Sequence, residues 1–188
     1  QRALLEDPTN EGTLDEVERL AALNDGWLQL ASTYADALLV EAPVEDRVEL
    51  GKRLARVYED QLGDVERAEE TLRYVVGLSG GDEECLGALD RIYVEHGAHD
   101  ALVDTLQRRI ASTEDPVSKV DYSYRLGAVL DNDLRRTDEA IKVYSNILDS
   151  IEPEHTDSIK ALQEIYIRNE DWPNLLQAFE KEVAIALG

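Results

Sequence analysis

The sequence predicts an all-α solenoid of five antiparallel helical hairpins, about ten helices, and three observations carry that prediction. First, the segment Ala88-Leu-Asp-Arg-Ile-Tyr93 returns as Ala161-Leu-Gln-Glu-Ile-Tyr166, a shift of 73 positions (161 minus 88). The same shift takes His99 to Trp172, Leu102 to Leu175 and Leu106 to Phe179, and a weaker copy runs from Arg19-Leu20 through Trp27, Leu30 and Tyr34. Second, a longer kind of unit lies between these copies. Arg53-Leu-Ala-Arg-Val-Tyr58 with Arg67-Ala68 matches Arg125-Leu-Gly-Ala-Val-Leu130 with Glu139-Ala140, a shift of 72 (125 minus 53). Short and long units therefore alternate, and chance would not hold both shifts in step. Third, the apolar residues keep helical spacing, as at Leu50, Leu54, Val57, Tyr58 and Leu62, while no alternating strand of useful length is found.

Taken in order, the helices are expected at roughly 12–23, 27–41, 44–61, 64–77, 82–95, 99–113, 116–132, 136–150, 155–168 and 171–187. Loops this short make neighbouring helices antiparallel, and a hairpin that cannot bury its apolar face alone stacks on the next. The units then fall at 12–42, 43–80, 81–115, 116–153 and 154–188, within one domain over 1–188. The breaks carry turn chemistry at Asn24-Asp-Gly26, Gly63-Asp64, Ser79-Gly-Gly-Asp82, Gly97 and Asp115-Pro116. Asp64, Asp82 and Thr137 each precede an apolar-periodic run, where a short side-chain oxygen takes the orphan amides of a first turn. Pro116 and Pro173 suit a first turn, where the missing N–H costs nothing. A stub before Pro8 reads as the end of a preceding unit, so the chain is expected to be an excerpt of a longer array.

Hydrophobic residues make up 43% of the chain, enough for a packed core rather than a disordered chain. Acidic residues number 41 against 19 basic ones, a formal net charge of -22. Nucleic acid normally demands a basic stripe that releases counterions, and a field of this sign repels it within a Debye length, as it repels anionic lipid. No run of about 18 apolar residues exists to span a bilayer. Nucleic acid and membrane insertion are thus excluded as expectations, and other proteins or peptides, basic ones above all, remain as partners. The acidity equally serves solubility, as in a salty environment. Cys85 is the only cysteine, so no internal disulfide forms and the compartment, cytoplasm or periplasm, stays open.

The stretch Asp138-Glu-Ala-Ile-Lys-Val-Tyr-Ser-Asn-Ile-Leu148, with Pro153 after it, resembles the second helix of a tetratricopeptide repeat. In that family a small residue packs on the first helix, an aromatic follows four positions later and a proline closes the repeat. Ala140, Tyr144 and Pro153 fill those places, the proline one position late. Leu126-Gly127 and Leu54-Ala55 with Tyr58 are similar to the first-helix pattern. Two departures mark a divergent kind. Leu102 and Leu175 replace the small alanine, and the long units have ten steps (68 minus 58) from Tyr58 to Ala68 where the family has one fewer. The resemblance covers nearly the whole chain and implies a right-handed solenoid that binds protein ligands in a concave groove lined by the first helices.

Chemistry-bearing clusters all have blander explanations. His96 and His99 lie near Cys85, Glu95 and Asp100 in the chain, but His99 fills the place of Trp27 and Trp172, a packing position at the inter-helix turn. Carboxylate pairs such as Glu69-Glu70 and Glu83-Glu84 sit on adjacent helical residues, which point apart. Asp131-Asn-Asp133 lacks the glycine and closing glutamate of a calcium loop. With no phosphate loop or nucleophile elbow, no catalytic residue, metal or cofactor is expected.

The groove face implied by the resemblance carries Asp15 and Arg19, then Lys52 and Arg56, then Arg91, then Asp121 and Tyr124, then Lys160, Glu164 and Arg168. In so acidic a chain the set is unexpectedly basic, and a track of Arg19, Lys52, Arg56, Arg91, Tyr124, Lys160 and Arg168 would grip acidic side chains or a peptide carboxylate. The simpler account has these cations pair with carboxylates on their own helices, at a few tenths of a kcal/mol each. The expected function is a protein–protein interaction scaffold. The alternatives are a structural spacer that associates end to end with its own copies, and a regulatory arm of an enzyme elsewhere in the parent chain.

Overall fold

The computed structural model describes residues 11–187, and the stub before Pro8 lies outside them. Its helices are α1 (Glu11–Asn24), α2 (Trp27–Leu38), α3 (Val44–Arg56), α4 (Val65–Ser79), α5 (Glu83–His96), α6 (His99–Ser112), α7 (Pro116–Ala128), α8 (Thr137–Asn146), α9 (Thr156–Arg168) and α10 (Trp172–Leu187). No strand is present among the described residues, so the fold is the all-α repeat that the helical spacing predicts. The chain divides into two compact units, the first ending at Ile92 within α5 and the second beginning at Tyr93.

The first unit packs α1 on α2, α2 on α3 and α3 on α4. Its core gathers Leu14, Leu30, Tyr34, Leu50, Leu54 and Ala68, with Val57 and Tyr58 closing the far end. In the second unit α6 through α10 pack in the same consecutive way. Ala140 and Tyr144 are buried there, as are Leu102 and Leu175, the residues that stand where a small alanine was expected. Glycine supplies the closest approach: a Cβ on Gly127 would lie 2.6 Å from ring carbons of Tyr144.

The extra residue of the long units has a definite structural home. In each of them the first helix ends in a π-helical turn, Val57–Gln61 after α3 and Val129–Asp133 after α7. The amide of Leu62 donates to the Val57 carbonyl at 3.1 Å and that of Asp64 to Tyr58 at 2.8 Å. Seventy-two positions on (129 minus 57), Leu134 donates to Val129 at 3.1 Å and Arg136 to Leu130 at 2.7 Å. A π turn holds one more residue per turn than an α turn, so the inserted residue is absorbed without disturbing the following helix. A third π turn, Ile147–Ile151, prolongs α8.

Every first helix then stops at a residue of positive φ: Asp25 (53°), Gly63 (64°), Gly97 (64°), Arg135 (57°) and Glu170 (56°). In the short units this turn closes with the same bond, from Gly26 to Ala21, Ala98 to Tyr93 and Asp171 to Tyr166, each at 2.9 Å. Five equivalent stops in one chain are a structural repeat signal of their own.

Two expectations need correction. The second helix ends at Leu38 rather than at residue 41: Leu39 and Val40 bond three residues back to Asp36 and Ala37, a tightened last turn, and Pro43 holds Ala42 away from helical backbone beyond it. Thr137 is no cap. It is the first residue of α8, and its hydroxyl donates to the Asp131 carboxylate at 2.8 Å. Asp64 and Asp82 do cap, accepting from the amides of Arg67 at 3.1 Å and Cys85 at 3.0 Å.

Candidate partner-binding site

In the first unit the cations of the expected track are tied to carboxylates, mostly on the neighbouring first helix. The Lys52 ammonium lies 2.7 Å from Asp82 and 3.1 Å from Glu84, which joins α3 to the start of α5. Burial disfavours the charged lysine, yet the hydrogen bonds to Asp82 and Glu84 outweigh it and raise its pKa. Arg56 reaches the same Glu84 at 3.1 Å. Arg91 on α5 returns the contact, 2.6 Å from Glu59 in the π turn after α3. Arg19 binds Glu16 on its own helix at 2.8 Å, fully on the surface.

Arg53, absent from the expected set, makes the most extensive contact of this kind. It meets Asp15 at 2.8 Å, Glu18 at 3.2 Å and Glu49 at 3.3 Å, and Glu18 also accepts from the buried Tyr34 hydroxyl at 2.9 Å. Its signal in the sequence was faint: a cation beside the conspicuous Lys52, visible only once the acidic face of α1 is brought against it.

The second unit is arranged differently. Arg168 on α9 lies 2.5 Å from Asp131 in the π turn after α7, and Asp131 is only 6% exposed. Burial opposes its charge, but the Arg168 and Thr137 hydrogen bonds hold its carboxyl below the usual carboxylate range. Tyr124 packs its ring against Tyr144 and His155, with centroids 5.6 Å away in both cases. His155 caps α9, its Nδ1 accepting from the Ser158 amide at 3.3 Å. Burial first, then the charges of Asp157 and Glu164, push the Tyr124 phenol above its ordinary pKa, so it stays a neutral hydroxyl.

These side chains border a hollow of about 220 Å³, walled by Tyr124, Asn132, Asp157, Lys160 and Glu164 over Asp131. Lys160 is exposed and, among the described residues, pairs with no carboxylate. The seven expected residues thus separate: Arg19, Lys52, Arg56, Arg91 and Arg168 are engaged within the protein, while Tyr124 and Lys160 meet in one open polar hollow. A free ammonium and a hydroxyl beside carboxylates suit a polar, charged ligand group. Among the described residues no cluster of three His, Cys, Asp or Glu side chains converges, and no helix is long and apolar enough to cross a membrane. Cys85 is buried, which pushes its thiol up to about 12.

No protein-family model and no curated protein sequence matches the chain. Solved structures do. A crystal structure of MamA, a tetratricopeptide-like repeat protein, is 23% identical and superposes with a TM-score of 0.53 over 88% of this chain and 92% of that one. MamA AMB-1 gives 0.54 at 23% identity over 90% and 93% of the two chains, and a MamA RS-1 double mutant 0.52 at 14% over 95% and 96%. At such identities the likeness establishes the helical-repeat fold and nothing about partners.

Proposed function

We propose that this protein is a binding scaffold, without catalysis, that holds an extended peptide or a partner helix on the face of its first helices. The observation that carries the reading is the Tyr124–Lys160 hollow, where the free cation of the expected track stands beside a neutral phenol and open space. Arg91 and Arg168, already held by Glu59 and Asp131, contribute rigidity to the binding face, and Arg19, Lys52 and Arg56 line it as paired charges. Such pairs exchange partners when a ligand carboxylate arrives, so the face stays selective for acidic groups against a chain whose net charge of -22 repels them elsewhere. The same field argues against nucleic acid as a partner.

The test is capture of partners from lysate by the wild-type chain and by Lys160→Glu, read side by side. Arg56 and Arg91 are poor choices for charge reversal because each binds a neighbouring helix. Proteins retained by the wild type and lost from Lys160→Glu support the groove; identical capture by both removes it.

A second reading, a self-associating spacer, has its own observation. On α10, Trp172, Leu176, Phe179, Val183 and Leu187 form an exposed apolar stripe at helical spacing. Sedimentation that stays monomeric at high concentration would exclude end-to-end assembly of this chain.

A further inference from the structure

The first and last hairpins each expose one half of a contact that the chain makes repeatedly within itself. On α10, Leu176 is 60% exposed, Phe179 43% and Val183 54%. Seventy-three positions back (176 minus 103), Leu176 and Phe179 become Val103 and Leu106 of α6, which are buried, and a first helix, α7, packs on α6. A further 72 positions back (103 minus 31), the three places belong to Ala31, Tyr34 and Leu38 of α2. All three are buried, with the first helix α3 packed on α2. In both sister hairpins a first helix therefore follows the second helix that carries these positions, and on α10 they stand open to solvent.

The opposite half is open on α1. Leu20 is 43% exposed, whereas its counterparts Ile92 (92 minus 20 is 72) and Ile165 (165 minus 92 is 73) are buried at 1%. Beside Leu20 a hollow of about 220 Å³ lies between α1 and α2, lined by Val17, Ala21, Leu30 and Thr33. The last hairpin has a hollow in the same place, since Leu162, Tyr166 and Ala178 are the residues 145 positions (162 minus 17) beyond Val17, Ala21 and Thr33. There a further wall is present: Ser145, Leu148 and Asp149, from α8 and the π turn that prolongs it. A second helix thus covers this face on α9, with Leu148 buried against it.

The side chains of α10 suit that covering part. Tyr144 and Leu148 stand four and eight positions after Ala140, and Phe179 and Val183 stand four and eight after Leu175, which fills the same place in its helix. The open face of α10 therefore carries an aromatic and an aliphatic residue in the register that α8 uses on α9.

We propose that two copies of this chain join head to tail, α10 of one copy lying on α1 of the next as α8 lies on α9. Val183 then stands where Leu148 does, over the hollow beside Leu20. The proposal rests on the self-association reading above and makes its contact heterologous, between two unlike faces, so each joined pair still presents one free face of either kind. Each copy carries a formal charge of -22, so copies repel one another while the contact itself is apolar. Added salt screens the repulsion and should tighten the association.

The test is sedimentation equilibrium of the whole chain, as wild type, Leu20→Asp and Val183→Asp. Both side chains are partly exposed, so the variants should melt as the wild type does, and Leu176→Asp replaces Val183→Asp if that variant melts early. The wild-type mass should rise with concentration up to about 0.5 mM, and more so in about 0.5 M salt. Each variant alone should associate about tenfold or more weakly. An equimolar mixture of the two should give a dimer and nothing larger, because the intact α10 of Leu20→Asp meets the intact α1 of Val183→Asp. A mixture that stays monomeric would overturn the proposal, as would wild-type association by both variants alone. Association by Leu20→Asp with none by Val183→Asp would mean α10 against α10, which keeps self-association and overturns the head-to-tail contact. A wild type that is monomeric throughout would overturn both.

Discussion

The two long hairpins, α3–α4 and α7–α8, are the same backbone solved twice with different side chains. Both first helices end in a π turn followed by a residue of positive φ, at Gly63 and at Arg135. Both π turns also hold a carboxylate, Glu59 and Asp131, in the same place (131 minus 59 is 72), and in both an arginine of the next first helix clasps it. The arginine is not the equivalent one. Arg91 corresponds to Glu164 (164 minus 91 is 73), so in the second unit the cation has moved one helical turn, to Arg168. Likewise Lys52, bound to Asp82 and Glu84, corresponds to Tyr124, whose ring meets His155, the counterpart of Asp82. The repeat therefore conserves where neighbouring helices are fastened and leaves the chemistry of the fastening free. That freedom covers the first-helix face of the first unit with ion pairs and leaves a hollow in the second.

The strongest way to break the comparison is through close packing. Gly127 corresponds to Ala55 (127 minus 55 is 72), and Tyr144, which leaves no room for a Cβ on Gly127, corresponds to Leu72 (144 minus 72 is 72). Gly127→Leu drives a branched side chain into the Tyr144 ring, and chemical denaturation should show a loss of about 3 kcal/mol, at the upper end for overpacking. Adding Tyr144→Ala to Gly127→Leu should return part of that loss, since the cavity accepts the new side chain. A double variant no better than the sum of its singles would show that the two do not share space.

Next comes the buried clasp. Arg168→Ala strands the Asp131 carboxylate, and a loss of roughly 2 kcal/mol is expected in urea unfolding near neutral pH. Because the folded Asp131 pKa is depressed, its contribution is complete above the unfolded value near 4 and disappears as pH falls through the lower folded value. Asp131→Asn should flatten that acid limb. An acid limb that is the same in wild type and Asp131→Asn would place the pH dependence elsewhere.

These two tests also mark where the sequence was legible and where it was not. Period, helix number and helix spans follow from apolar spacing and turn residues, because burial of one face is written along a single helix. The π turns were visible only as one surplus step between Tyr58 and Ala68, a count without a geometry. The ends of the first helices were half legible. Gly63 and Gly97 announce a left-handed residue, whereas Asp25, Arg135 and Glu170 adopt the same conformation without the residue type that signals it. The candidate partner face was least legible. A helix shows its own cations at three- and four-residue spacing, but the carboxylates that hold Lys52, Arg91 and Arg168 come from other helices, and stacking alone brings them together.

The left-handed stops give a smaller test of the same comparison. An L side chain in this conformation costs on the order of 1 kcal/mol relative to glycine. Arg135→Gly, which copies Gly63 into the second unit, should raise unfolding free energy by up to about that amount, since the Arg135 side chain lies outside the clasp. A loss of stability instead would mean that the Arg135 charge, which helps to hold the Asp131 carboxyl down, outweighs the backbone term.

The smallest effect is expected at Arg56, whose counterpart in the second unit is Ala128 (128 minus 56 is 72). Arg56 and Glu84 are both more than half exposed, at 56% and 58%, and Glu84 keeps its contact with Lys52 when Arg56 is removed. An exposed pair gains little Coulomb energy in water and loses side-chain entropy, so Arg56→Ala should cost roughly 0.5 kcal/mol or less. In about 0.5 M salt the difference from wild type should vanish, because screening reaches such a pair and spares the buried Asp131 clasp. Comparing the salt dependence of Arg56→Ala and Arg168→Ala therefore separates the two fastenings directly. A salt-insensitive loss above about 1 kcal/mol at Arg56 would mean that the pair is shielded from solvent as the Asp131 clasp is, and that the two fastenings do not differ in kind.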